Sequence, residues 1–271
     1  MLRSIGSIRL LILALVLLAS ASSFGAEVSV GVSIQVGPPE LPVYEQPECP
    51  ASGYLWAPGY WAYGPDGYYW VPGTWVAAPR PGLLWTPGYW GWARSGYFWH
   101  EGYWGPHVGF YGGIRYGFGY TGNGFSGGYW KSGAYCYNRA VTNVNVTVVH
   151  NTYTKTVVNN TAVGRVSFNG GAGGTLAKPN ARELVAARES HVPATAEQMQ
   201  HRQTAGSDRE LLASANHGQP ALAKRASAPA AKEGEEAASV NHSSGKQGKK
   251  GAQNGKGKHA NQKQDRGGRE R

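Results

Sequence analysis

The chain has 271 residues, 41% of them hydrophobic and 15% charged, with a formal net charge of +10. That charge sits at the ends. Arg3 and Arg9 belong to an N-terminal leader, and residues 219–271 hold 12 Lys/Arg against 5 Asp/Glu, so the stretch between is about neutral and basicity argues nothing about its partners.

The leader reads as a secretory signal peptide. Basic Arg3 and Arg9 precede an apolar run over residues 10–18 and then small residues Ala19, Ser20 and Ala21. The run is short for a membrane span, which needs roughly 20 residues. Cleavage after residue 21 fits the small-residue rule, and cleavage as late as residue 26 is the alternative. No cysteine lies near to accept a lipid. Residues 22–50 form a short strand and a Pro-rich linker. Apolar residues alternate over 28–36, and Gly37, Pro38 and Pro39 stop the run.

Residues 51–136 carry the main signal. Trp56-Ala-Pro-Gly-Tyr-Trp61, Trp70-Val-Pro-Gly-Thr-Trp75, Trp85-Thr-Pro-Gly-Tyr-Trp90 and Trp99-His-Glu-Gly-Tyr-Trp104 begin 14, 15 and 14 residues apart. A fixed period means one small unit used repeatedly. The segments 64–67, 79–82 and 93–96 have turn chemistry, so the motifs are expected to pair through antiparallel hairpins. Trp61 then faces Trp70, Tyr63 faces Tyr68, Trp90 faces Trp99 and Trp92 faces Tyr97. In the middle hairpin Trp75 faces Trp85. Alternation gathers Trp61, Tyr63, Tyr68, Trp70, Trp90, Trp92, Tyr97 and Trp99 on one face. Tyr60, Tyr69, Tyr89 and Phe98 fall on the other, where exposed rings suit a sugar or peptide platform. The Pro-Gly inside each motif is either a wider turn or a kink between sheet segments. The fourth copy has Glu101 in place of Pro.

All ten tryptophans lie between Cys49 and Cys136. In an oxidising compartment such a pair reads as a disulfide clasping the aromatic region. Residues 105–130, richer still in Gly, are either further short strands or a mobile aromatic loop. Residues 137–218 open with an Asn/Val alternation over 141–158 that predicts strands. Three short helices follow at 181–191, 196–204 and 208–216, capped by Asn180/Glu183, Thr195/Gln198 and Ser207/Glu210. Their apolar residues are sparse, so they need docking on the β part. Residues 219–271 lack aromatics and are expected to be disordered. The fold class is mainly β: short antiparallel hairpins, a second Asn/Val-rich β segment, a few short helices and a tail.

The repeat, with aromatics before it as in Tyr68-Tyr-Trp-Val-Pro-Gly-Thr-Trp75, resembles the YXWGXW (also WXXGXW) repeat proteins of bacteria. The stretch from Gly102 to Gly113 and the Asn/Val segment after Cys136 resemble longer members. The resemblance covers residues 50–218. It implies an exported envelope protein of a Gram-negative bacterium and carries over no catalytic residue. Many relatives are lipoproteins, and this chain departs from them in lacking the cysteine.

No enzyme pattern is supported in its context. Gly117-Phe-Gly-Tyr-Thr-Gly122 matches a dinucleotide fingerprint, and Gly124-Phe-Ser-Gly-Gly128 matches a nucleophile elbow. Each needs a strand before and a helix after. His100, Glu101 and His107 lie close enough in sequence for a weak metal site, with hydrogen-bonded turn histidines as the plainer reading. No cofactor is expected. The chain is therefore expected to be a non-enzymatic envelope scaffold, with a glycan- or peptidoglycan-binding module as the alternative. The basic tail suits weak contact with anionic surfaces, such as lipopolysaccharide phosphates or nucleic acid. It lacks the interleaved aromatics that specific nucleic-acid reading needs.

Overall fold

The computed structural model describes residues 34–157 and 164–221. The leader, most of the alternating segment at 28–36, and all but the start of the basic tail lie outside these residues.

The repeats form two bent hairpins. In the first, β1 (Tyr54–Ala57), β2 (Tyr60–Gly64), β3 (Gly67–Val71) and β4 (Thr74–Ala77) run in order. Strand β2 pairs antiparallel with β3, and β1 with β4. The register is continuous across the Pro-Gly break, since Trp61 pairs with Trp70 and Trp56 with Trp75. Two long arms are thus kinked at the same level. The second hairpin repeats this with β5 (Leu84–Thr86), β6 (Tyr89–Ala93), β7 (Gly96–His100) and β8 (Tyr103–Gly105). Trp90 pairs with Trp99, and Trp85 with Trp104. The expected Trp61–Trp70, Tyr63–Tyr68, Trp90–Trp99 and Trp92–Tyr97 partners all form. The expected Trp75–Trp85 pairing does not. Trp75 is already taken by Trp56, and residues 79–82 link two hairpins instead of turning within one.

The kink explains the motif. None of Gly59, Gly73, Gly88 or Gly102 has positive φ. They are glycines because an indole and the backbone of the facing motif both stand too close to each of them for a Cβ. A Cβ on Gly73 would stand 2.4 Å from Cζ2 of Trp56, and one on Gly59 would stand 2.4 Å from Cζ2 of Trp70. Gly88 meets Trp99 at 2.4 Å and Gly102 meets Trp85 at 2.6 Å in the same way. The leading Trp of each motif thus covers the glycine of the facing motif. Proline supplies the break, because it gives no N–H to the ladder.

The hairpins are joined by rings and by phenols. The Trp90 indole N–H donates to the Trp61 carbonyl at 2.7 Å. Tyr120 donates to the Trp85 carbonyl at 2.9 Å and reaches that of Trp56 at 3.3 Å. Residues 105–127 are therefore an aromatic plug: Tyr111, Tyr116 and Tyr120 are all buried. The expected Trp face is core, with Trp61, Trp70 and Trp90 buried and only Tyr63 and Trp92, beside the turns, above a third exposed.

Behind the plug, β9 (Gly128–Lys131) pairs with β10 (Ala134–Asn138), and β11 (Thr152–Tyr153) adds parallel to β10. The Asn/Val segment is otherwise not a strand. Its asparagines satisfy backbone groups directly, which competes with a ladder. Asn145 takes the N–H of Thr147, and Asn143 bonds Gln46 twice. Strand β12 (Phe168–Asn169) lies parallel to β6. Helices α1 (Ala181–Ala186) and α2 (Ala196–Ser207) carry the two expected capping boxes. The third cap is Asp208, one residue beyond the expected Ser207, and it opens a single 3-10 turn before α3 (Ala213–Asn216).

The cysteine clasp is not formed; both thiols are free. Strand alternation is the reason. On β10, Tyr135 and Tyr137 point toward Cys49, which interacts with Tyr137. Cys136, between them, points to the other face, toward Tyr153. Burial raises the Cys49 thiol to about 11. The unfolded, unreduced protein should therefore yield two thiols to a disulfide-exchange reagent. In the native state at mildly alkaline pH, half-buried Cys136 should react first and Cys49 slowly. The indole–glycine contact gives a second test. Gly73→Ala should cost about 1–3 kcal/mol in chemical denaturation. In a Trp56→Phe background that cost should shrink by about 1 kcal/mol or more, a coupling that a backbone effect alone would not show.

Candidate functional site

The four breaks lie together and make one side of a cleft of about 290 Å³. Pro58 and Pro72 come from the first hairpin, Pro87 and Glu101 from the second, and α2 closes the other side with Gln198 and Met199. Tyr60 stacks on Trp99 across the two hairpins, with ring centroids 5.0 Å apart and planes within 19°.

Helix α2 is polar along most of its length, and three polar contacts hold it over the breaks. The Oε1 atom of Gln198 accepts the N–H of Thr195, closing the capping box, and also the indole N–H of Trp104, both at 2.9 Å. His201 Nε2 bonds the Pro72 carbonyl at 2.8 Å. Arg202 pairs with Glu101 at 3.1 Å. The departure of the fourth motif thus has a local use: Glu101 stands where Pro would stand and meets the helix. The guanidinium is raised further above its ordinary range. Desolvation opposes that shift, and the Tyr60 phenol and the Glu101 carboxylate outweigh it.

The four expected platform residues do not form one exposed face. Tyr69 is buried beneath α2 and the 3-10 turn, bridged to Leu212 and covered by Gly206. This face of the first hairpin was open on sequence grounds; the helices bury it, with Ala205 and Leu211 joining Tyr69 in the core. Tyr60 is half-buried at the cleft. Tyr89 stacks on His100 at 4.4 Å with planes within 9°, and burial raises its phenol to about 12. Phe98, half-buried, stands opposite Gly91 on the same hairpin face as Tyr89.

The eight repeat tryptophans divide by role. The second of each motif is anchored through its N–H: Trp61 to the Glu40 carbonyl, Trp75 to that of Pro47, Trp90 to that of Trp61, and Trp104 to Gln198. The leading indoles of Trp56, Trp70 and Trp99 are packed on glycine with the N–H unbonded. An unmet buried donor costs about 1–3 kcal/mol. Burying a ring of 150–250 Å² stabilises by ~4–6 kcal/mol, so packing wins. This division of labour was invisible in the sequence, because both positions read as the same residue.

The candidate metal trio is dispersed. His100 stacks on Tyr89, Glu101 pairs with Arg202, and His107 pairs with Glu189 at 2.7 Å. Burial lowers the pKa of His100. The two glycine-rich string matches fall in the aromatic plug and the turn into β9, without the helix either motif requires.

Two substitutions separate the helix contacts. Gln198→Ala removes a cap and orphans the Trp104 N–H, and should cost about 1–3 kcal/mol in thermal or denaturant unfolding. Glu101→Pro restores the motif and removes a solvent-facing ion pair, and should cost under about 1 kcal/mol. The profile of the WXXGXW repeat matches the chain twice, over residues 52–76 and 80–104. No curated protein and no solved structure matches it. Each match spans one bent hairpin, so the chain carries two copies of the WXXGXW repeat within residues 52–104.

Proposed function

We propose that this chain is an exported, non-enzymatic protein of a Gram-negative envelope, in which the paired hairpins act as a rigid scaffold. The observation that carries the scaffold reading is the use of the repeated residues. Tryptophan and glycine of each motif, and proline in three of the four, are consumed by packing, admitting the indole and breaking the ladder. The leader pattern supports export. The basic tail adds weak, salt-sensitive contact with anionic surfaces.

Fractionation of a Gram-negative host expressing the full chain with a C-terminal tag tests the placement. The expected result is a periplasmic or envelope-bound product whose intact mass lacks the leader, cut between residues 21 and 26. A full-mass product in the cytosol would overturn it.

The alternative is a glycan- or peptidoglycan-binding module. One observation favours it: Tyr63 and Trp92, both beside the hairpin turns, keep exposed aromatic surface. Salt-resistant retention on washed sacculi, lost on Tyr63→Ala with Trp92→Ala, would support this reading over the scaffold alone.

A further inference from the structure

The cleft at the breaks has a composition that selects its occupant. Its walls are mostly carbon: four prolines, Val71, Met199, Trp85 and Trp99. Most of the charged and strongly polar groups at its rim are already engaged. Arg202 is held by Glu101, His201 by the Pro72 carbonyl, and Gln198 Oε1 by two donors at once. A sugar ring would leave several hydroxyls without partners there, each losing its water at a cost of about 1–3 kcal/mol. Apolar atoms lose nothing comparable and gain contact with the lining.

Size narrows the class further. An apolar cavity of about 150 Å³ holds a benzene ring. The cleft, at about 290 Å³, has room for roughly two fused rings. We infer that the cleft between the four breaks and α2 is a binding site for a neutral, largely apolar molecule of two fused rings carrying at most one or two polar substituents. Thr74 and Gln198 also line the cleft, and their side chains carry a hydroxyl and an amide N–H suited to such a substituent. Met199 forms the mouth. It is 52% exposed, so the mouth can be altered without touching the core.

This site stands apart from the envelope placement and from the exposed aromatics at Tyr63 and Trp92, and its test is separate from theirs. Purified full-length protein is titrated by calorimetry with 2-naphthol, and with N-acetylglucosamine as the polar comparator. Saturable heat is expected for 2-naphthol and none for the sugar. Met199→Trp fills the mouth and should weaken 2-naphthol by about tenfold or more, ~1.4 kcal/mol. Leu184→Trp, on exposed α1, should leave it unchanged. Should Met199→Trp fail to fold, Ala194→Phe narrows the same mouth and must give the same loss. The inference is overturned by absence of saturable 2-naphthol binding, by binding indifferent to both mouth variants, or by a preference for the sugar.

Discussion

An indole packed against a glycine of the facing strand is the contact from which the rest of this structure follows. Four such contacts exist, two in each hairpin, and each is reciprocated. Trp56 covers Gly73 while Trp70 covers Gly59, and Trp85 covers Gly102 while Trp99 covers Gly88. A side chain on any of these glycines would collide with an aromatic ring that cannot bend away. The leading tryptophan, the glycine and the spacing between them are therefore one constraint. It also fixes why motifs come in pairs: a lone motif has a ring without a glycine to cover.

The remaining architecture satisfies what the break leaves open. Breaking a ladder frees backbone groups, which must find partners. Tyrosines from outside the repeats supply them. The Tyr44 phenol accepts the N–H of Gly59, and the Tyr116 phenol donates to the carbonyl of Gly88. The segment before the repeats and the plug after them thus serve corresponding places in the two hairpins. Desolvation pushes both phenols up, as it does those of Tyr111 and Tyr120. The sign for stability follows: the unfolded chain loses these protons near its ordinary phenol range while the folded chain holds them. The fold is favoured below about pH 10 and loses stability as pH rises from there toward the raised folded values.

Much of this was legible in the sequence, and the limits have physical causes. Four cross-strand aromatic pairs and two capping boxes could be read directly, because two-residue alternation and the third-position partner of a cap are local rules. The Trp75–Trp85 pairing failed because a Pro/Gly-rich turn signal is the same whether it closes a hairpin or joins two. Trp56 and Trp85 find their partners 19 residues on, across a continuous kinked arm, and no local rule reports that. The cysteine bond failed because bracketing positions in sequence say nothing of which face of β10 a side chain takes. For the cleft, Tyr60 was legible as a ring off the main aromatic face. Its neighbours Met199, His201 and Arg202 come from a helix more than 120 residues away, and no local rule brings them to it.

Proton NMR of the full chain tests the central contact most directly. The account predicts α-protons of Gly59, Gly73, Gly88 and Gly102 displaced from random-coil positions by the ring currents of the adjacent indoles. It also predicts nuclear Overhauser contacts from each glycine to the ring of Trp70, Trp56, Trp99 and Trp85 respectively. Glycine α-protons at random-coil positions, or ring contacts joining Trp75 to Trp85 in place of Trp56 to Trp75, would contradict it.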